Sequence, residues 1–200
     1  IVQDYIQGKT WGADQRLGRM IALVGDAELD EGNIYEALQE GWKNDLRNCW
    51  WIIDYNRQSL DGVVREGLFR RVEQIFDAFG WDVVRVKYGT LQCAAFAEKG
   101  GDKLKDWIDG CSNQLYSALT FMGGKVWRER LMEALGDQGD VTALLEARSD
   151  EELALLMENL GGNCVKTMAE TFNAVKHDRP VCFLAYTIKG WGTPIAGHKD

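Results

Sequence analysis

Only two prolines and two histidines occur in the 200 residues. With so little proline, no Pro-rich linker divides the chain, and this length suits one domain. Five cysteines, Cys49, Cys93, Cys111, Cys164 and Cys182, stand singly, with no C-x-x-C and an odd count. That argues against a disulfide framework or a zinc site and favours a reducing, cytoplasmic compartment. No apolar run approaches the length that spans a bilayer, so no membrane is expected as a partner. No signal peptide opens the chain. Positive charge is short as well: 23 Lys and Arg against 31 Asp and Glu leave a net charge of −8. A phosphate backbone needs a basic surface, so nucleic acid is not an expected partner either. The chain starts at Ile1-Val2 without Met and stops at His198-Lys199-Asp200. It is expected to be one piece of a longer protein.

What is present fits a globular core, with 46% apolar and 27% charged residues. Four short apolar runs end in turn residues: Met20–Val24 before Gly25-Asp26, Cys49–Ile53 before Asp54-Tyr55-Asn56, Val83–Tyr88 before Gly89, and Val181–Ile188 before Lys189-Gly190. Such runs suit strands buried on both faces. Helical spacing runs through Asn33–Leu46, Leu68–Phe79, Leu104–Leu119, Lys125–Leu135, Asp150–Leu160 and Val165–Lys176. Ser149 precedes Glu152 by three, a capping-box signature. Strands alternating with helices imply an α/β fold: a three-layer parallel sheet with helices on both faces. A helical excursion is expected at about residues 90–147. Right-handed crossovers put the strand ends on one edge, where such sheets bind ligands.

Two of those strand tips carry chemistry. The first reads Gly25-Asp26-Ala27-Glu28 and the second Asp54-Tyr55-Asn56-Arg57-Gln58, continuing to Asp61. Asp26 offers a carboxylate oxygen, Asn56 an amide oxygen, and the following turn a backbone carbonyl. A few hard oxygen ligands with room for phosphate oxygens describe a Mg²⁺ or Ca²⁺ site around a diphosphate. Gly25 is expected to allow a tight turn, and the helix starting near Gly32 to face its N–H groups toward the anion. Taken alone, Gly-Asp after a strand is an ordinary turn, and so is an Asn just past a strand. The pair gains its meaning from joint placement.

The wording "GDAELDEG" followed by "WWIIDYNRQSLDG" resembles the GDG…N signature of the thiamine-diphosphate-dependent transketolase and 2-oxo-acid dehydrogenase superfamily. Further along, "VWRERLMEAL", "ARSDEELALLMENLGGNCVKTMAETFNAVK" and "VCFLAYTIKGWG" resemble, in order, the homodimeric bacterial pyruvate dehydrogenases. The resemblance covers roughly Ile21 to Gly192. It implies the thiamine-diphosphate-binding fold, with residues 1–200 as a single diphosphate-binding domain. It implies that Asp26 and Asn56 hold Mg²⁺ through side chains and Gln58 through its main-chain carbonyl. It implies that Gly25, Ala27 and Glu28 line the diphosphate of thiamine diphosphate, largely through backbone groups. His198, in "GWGTPIAGH", stands where the superfamily places a histidine near the reactive end, in proton transfer or substrate contact. The implied partners are pyruvate or a related 2-oxo acid, a second subunit or domain with the pyrimidine-binding Glu, and a lipoyl-bearing acetyltransferase.

This sequence departs from the pattern in places. Ala27 replaces the third Gly of GDG, which is tolerable where φ is negative. Leu160–Cys164 reads LGGNC where the pyruvate dehydrogenase pattern has GGH. The loop from Gly192 to His198 reads more like transketolase. Two other functions therefore stand beside oxidative decarboxylation of pyruvate: transketolase-type transfer of a two-carbon unit between sugar phosphates, and a non-catalytic scaffold keeping the fold. The eight tryptophans, Trp50-Trp51 among them, are expected in core and interface packing.

Overall fold

The computed structural model describes residues 18–59 and 62–198. Leu60 and Asp61, at the end of the second tip, lie outside the described residues. Strand β1 (Met20–Gly25) leads through helix α1 (Gly32–Lys43) to β2 (Cys49–Tyr55). A small antiparallel pair follows, β3 (Gln58–Ser59) and β4 (Gly62–Val63). Helix α2 (Leu68–Ala78) leads to β5 (Asp82–Val86). Six helices come next: α3 (Thr90–Phe96), α4 (Gly101–Gly110), α5 (Asn113–Met122), α6 (Gly124–Leu135), α7 (Gly139–Glu146) and α8 (Asp150–Glu158). Helix α9 (Val165–Ala174) and β6 (Val181–Tyr186) complete the chain of elements. The sheet order is β1-β2-β6-β5, with every pairing parallel.

The two faces of the sheet are written in the alternation of the strands. Cys182, Leu184 and Tyr186 join Ile53 and Tyr55 on one face, against Leu38 of α1 and Val72 and Phe76 of α2. Val181 and Phe183 join Trp50 and Val86 on the other, against Met168 and Phe172 of α9. The expected three layers are therefore present. All six residues of β6 are buried, as a central strand requires. The Trp50-Trp51 pair splits between the faces. Trp50 packs on Phe172 and Phe183, with ring centroids 5.5 and 4.9 Å away. Trp51 packs edge-on against Phe76 and Trp81 at 5.7 and 5.4 Å. Among the described residues, no helix is long and apolar enough to cross a membrane.

The helical segment departs from the spacing read off the sequence. The pattern through Leu104–Leu119 is two helices, because Ser112 starts a new one. Its hydroxyl accepts the Leu115 N–H at 3.2 Å, a helix cap. Helices α3 and α7 are too short to show a clear period. The Ser149 capping box forms as expected: Ser149 Oγ accepts the Glu152 N–H at 3.2 Å, and Glu152 accepts the Ser149 N–H at 2.8 Å. The segment is held by Trp127 of α6, which is fully buried and packs on Trp107 and Tyr116 at 6.1 and 4.9 Å. Trp127→Ala is expected to cost about 3–5 kcal/mol. Chemical denaturation of the full-length protein measures it, and a loss below about 1 kcal/mol contradicts this packing.

Candidate cofactor and metal site

Strand register brings the two tips together. Gly25 pairs with Asp54, so Asp26 and Tyr55-Asn56 leave neighbouring strands side by side. Asp26 opens a 3-10 turn that runs to Asp30. Asp26 is 3% exposed. One oxygen, Oδ2, accepts the Arg57 N–H at 2.7 Å. The other, Oδ1, is buried and has no hydrogen-bond partner among the described residues. Burial pushes this carboxyl up to about 6; the Arg57 N–H opposes the shift and the negative charge of Asp54 adds to it.

On the second tip, Asn56 Oδ1 accepts the Gln58 N–H at 2.9 Å, bending the chain as Asn side chains do in turns. Arg57 sits in the left-handed region with φ of 68°, unusual for a residue with a side chain. The Asp26 carboxylate and the Asn56 amide oxygen thus accept the consecutive N–H groups of Arg57 and Gln58 in one turn. Gln58 is buried, and its side-chain N–H donates to Ser117 Oγ at 3.3 Å. The Arg57 guanidinium is buried and donates to the Thr187 carbonyl at 3.0 Å, tying the β2 tip to the β6 tip.

A buried carboxylate oxygen without a partner, and an amide oxygen on the neighbouring strand tip, are hard donors of the kind a Mg²⁺ ion takes. The residues present therefore fit a Mg²⁺ ion. Among the described residues no group of three or more His, Cys, Asp and Glu could hold a metal. That finding does not bear on a set built from one carboxylate, one amide and a backbone carbonyl.

Gly25 has φ of −71° and ψ of 152°, an extended conformation any residue adopts, so its backbone does not require glycine. A side chain there would meet nothing closer than Glu28 Oε2 at 3.8 Å. The Gly25 N–H donates to that same Glu28 oxygen at 2.8 Å. A 3-10 turn starts at the tip itself, and α1 begins at Gly32, where the sequence places it. Ala27 is not among the residues with positive φ, so its methyl sits in an ordinary conformation.

His198 is half-buried and rests edge-on against Phe121 of α5 at 4.8 Å. Gly197 beside it lies on α5, where a Cβ would come within 2.7 Å of the Ser117 carbonyl. Since Ser117 also holds Gln58, one helix connects the His198 loop to the second tip. The LGGNC segment is a packing element. A Cβ on Gly161 would lie 2.4 Å from the Val86 carbonyl, and one on Gly162 2.7 Å from that of Tyr186. Asn163 Oδ1 accepts the Ile188 N–H at 3.1 Å and so anchors the start of the His198 loop. Gly161→Ala is expected to cost about 1–3 kcal/mol, because backbone blocks the new methyl. Thermal and denaturant unfolding measure it, and unchanged stability contradicts the close approach.

The sequence suggests Arg57 only as a source of a backbone carbonyl, not as a buried guanidinium, and it gives no role to the Ser117, Thr187 and Asn163 contacts. The doubled glycine at 161–162 was the one available signal, since close backbone approach favours glycine.

Comparison with known proteins bears on the same residues. The family described as "Transketolase, thiamine diphosphate binding domain" matches residues 12–98, which include both tips. The pyruvate dehydrogenase E1 component of Corynebacterium glutamicum is 31% identical over 174 residues, covering 86% of this chain and 18% of the relative. That of Pseudomonas aeruginosa is 30% identical over 182 residues, covering 89% and 20%. That of Escherichia coli is 27% identical over 175 residues, covering 86% and 19%. The chain is a thiamine-diphosphate-binding domain homologous to the bacterial pyruvate dehydrogenase E1 components. It spans about a fifth of the length of these E1 relatives. Coverage of 86–89% of the chain takes these matches beyond the two tips into the helical segment.

Proposed function

We propose that this chain is the diphosphate- and metal-holding half of a thiamine-diphosphate-dependent active site. In this reading the whole protein decarboxylates pyruvate oxidatively and transfers the acetyl unit to a lipoyl group on a partner acetyltransferase. The observation that carries the reading is the buried, unpaired Asp26 Oδ1 beside the Asn56 turn. Asp26 and Asn56 would hold Mg²⁺ through side-chain oxygens and Gln58 through its main-chain carbonyl. Gly25, Ala27 and Glu28 would line the diphosphate. The bound cofactor supplies the carbanion-stabilising chemistry of 2-oxo-acid cleavage.

This chain's own residues position and exclude. Asp26 and Gln58 are buried on either side of the half-buried Asn56, and the Arg57 N–H fixes the Asp26 carboxylate. His198 would carry a proton at the reactive end or contact the substrate. The carboxylate that activates the pyrimidine would come from a second subunit or domain, as in a homodimer. The cytoplasm is the proposed compartment, given the single cysteines.

Calorimetric titration of the full-length protein with thiamine diphosphate, with and without Mg²⁺, tests the cofactor. Binding that depends on Mg²⁺ supports the reading, and its absence favours a scaffold that has kept only the fold. Turnover assays with pyruvate and with a ketose phosphate then test the substrate. Activity with the ketose phosphate alone replaces decarboxylation by two-carbon transfer.

A further inference from the structure

Beneath the Asn56–Gln58 turn lies a cavity of about 80 Å³ that the proposed site does not use. Asp26, Asn56 and Gln58 do not line it. Its walls include Arg57, Lys87, Asn113, Tyr55, Tyr116 and Tyr186. The volume holds a few waters or one small polyatomic ion.

Arg57 is the reason to look further. It is 6% exposed, and its Nε N–H is buried with no partner among the described residues. Its guanidinium lies over the rings of Tyr116 and Tyr186, at 5.2 and 6.0 Å. No carboxylate lies within ion-pairing distance of it among the described residues. A guanidinium does not shed its proton, so burial leaves a charge that needs a counter-charge. The tyrosines do not supply one. Burial pushes the Tyr55 hydroxyl up to about 12 and raises those of Tyr116 and Tyr186 as well, which keeps all three neutral.

The carboxylates nearby are already engaged. Asp109 is bound by Lys105, Lys87 and the Tyr88 hydroxyl. Glu66 accepts the Asn113 N–H at 3.3 Å. Asp26 meets Arg57 at its backbone N–H and does not line the cavity. The cavity also has an approach. It shares Glu66, Gly67, Phe69, Lys87 and Asp109 with an outer cleft of about 790 Å³. That cleft adds Arg70, Arg85 and Lys105, a concentration of cations in a chain of net charge −8. Arg85 is paired with Glu73, whereas Arg70 lies over the Phe69 ring and has no ion pair among the described residues.

We infer that this cavity binds one compact oxyanion, a phosphoryl group, which pairs with Arg57 and enters past Lys87. The Arg57 Nε N–H is unpartnered among the described residues, and the Lys87 ammonium and Asn113 amide, which also donate to Asp109 and to the Val64 carbonyl, have further N–H groups; such donors recognise a phosphoryl group. The outer cleft has room for the remainder of a phosphomonoester, so free phosphate and a phosphorylated molecule share this chemistry. The inference does not depend on the cofactor reading.

The test is calorimetric titration of the full-length protein with inorganic phosphate, and separately with glycerol phosphate. Each titration is run with and without saturating Mg²⁺ and thiamine diphosphate. Saturation keeps phosphate out of any diphosphate pocket; if no cofactor binds, the unsaturated runs decide alone. Expected is one saturable site that survives saturation, is weakened about tenfold in Lys87→Met and is lost in Arg57→Met. Lys87→Met leaves the Arg57 turn intact, so the test stands even where Arg57→Met does not fold. Tighter binding of glycerol phosphate than of phosphate identifies a phosphorylated molecule as the occupant, and the reverse order identifies the free ion. No saturable binding at millimolar phosphate, binding unaltered in Lys87→Met, or displacement by thiamine diphosphate overturns the inference.

Discussion

Asp26→Asn is expected to abolish Mg²⁺-dependent cofactor binding and yet make the cofactor-free protein more stable. The two effects have one cause. Asp26 is buried with one oxygen unpaired, so its ionised form is costly until a cation arrives. Asn keeps an oxygen to accept the Arg57 N–H but brings no charge for a metal. Loss of this ligand is expected to weaken Mg²⁺-dependent binding by more than about 100-fold.

The stability effect has a defined sign. Burial raises the Asp26 carboxyl from 3.8 to about 6 in the folded chain. The folded state therefore holds the proton more tightly than the unfolded state. Without metal, this group's penalty is absent below pH about 4, grows as pH rises, and is complete above about 6. Its full size is about 3 kcal/mol. Metal affinity runs the opposite way, falling as pH drops through about 6, because the ligand must be ionised. Urea unfolding of cofactor-free wild type and Asp26→Asn at pH 5 and pH 7.5 measures the first effect. A variant less stable than wild type at pH 7.5, or one that still binds the cofactor with Mg²⁺, contradicts the role given to Asp26.

The second large effect concerns what this domain does alone. The 200-residue piece is expected to show no turnover with pyruvate, whereas the full-length protein turns it over. The surface around His198 supports this. Phe121 and Met122 at the end of α5, with Trp191 and Ile195 in the loop before His198, are large apolar residues that are 49–61% exposed. In the proposed reading these exposed apolar groups belong to a surface that a second chain or domain would cover. The same edge carries the diphosphate half of the proposed site, and the pyrimidine-activating carboxylate would arrive on the covering element. Decarboxylation assays on the purified piece and on the full-length protein compare the two directly. Measurable pyruvate cleavage by the piece contradicts the shared-site reading.

The sequence made the sheet and both tips legible because a continuous apolar strand ending in Gly-Asp or Asp-Tyr-Asn leaves few alternatives. The face each strand residue takes follows from period two, and Trp50 and Trp51 divide accordingly. Less was legible where tertiary contacts set the local structure. Nothing in Asn56-Arg57-Gln58 announces a positive φ at Arg57, which rests on the Asp26 and Thr187 contacts of its own backbone and side chain. Gly25 looked like a conformational glycine, yet its backbone is extended and its amide is held by Glu28. The LGGNC segment, which lacks the histidine of the pattern, is also where the ends of β5 and β6 approach too closely for a Cβ, which the wording alone does not reveal. The break at Ser112 was hidden because apolar residues continue the helical spacing on both sides of it.

The most direct measurement is a crystal structure of the full-length protein with Mg²⁺ and thiamine diphosphate. Expected is a single cation held by Asp26 Oδ1, Asn56 Oδ1 and the Gln58 carbonyl at about 2.1 Å, with diphosphate oxygens completing its shell. A cation bound elsewhere, or a diphosphate seated away from the two tips with Asp26 and Asn56 unengaged, contradicts the account.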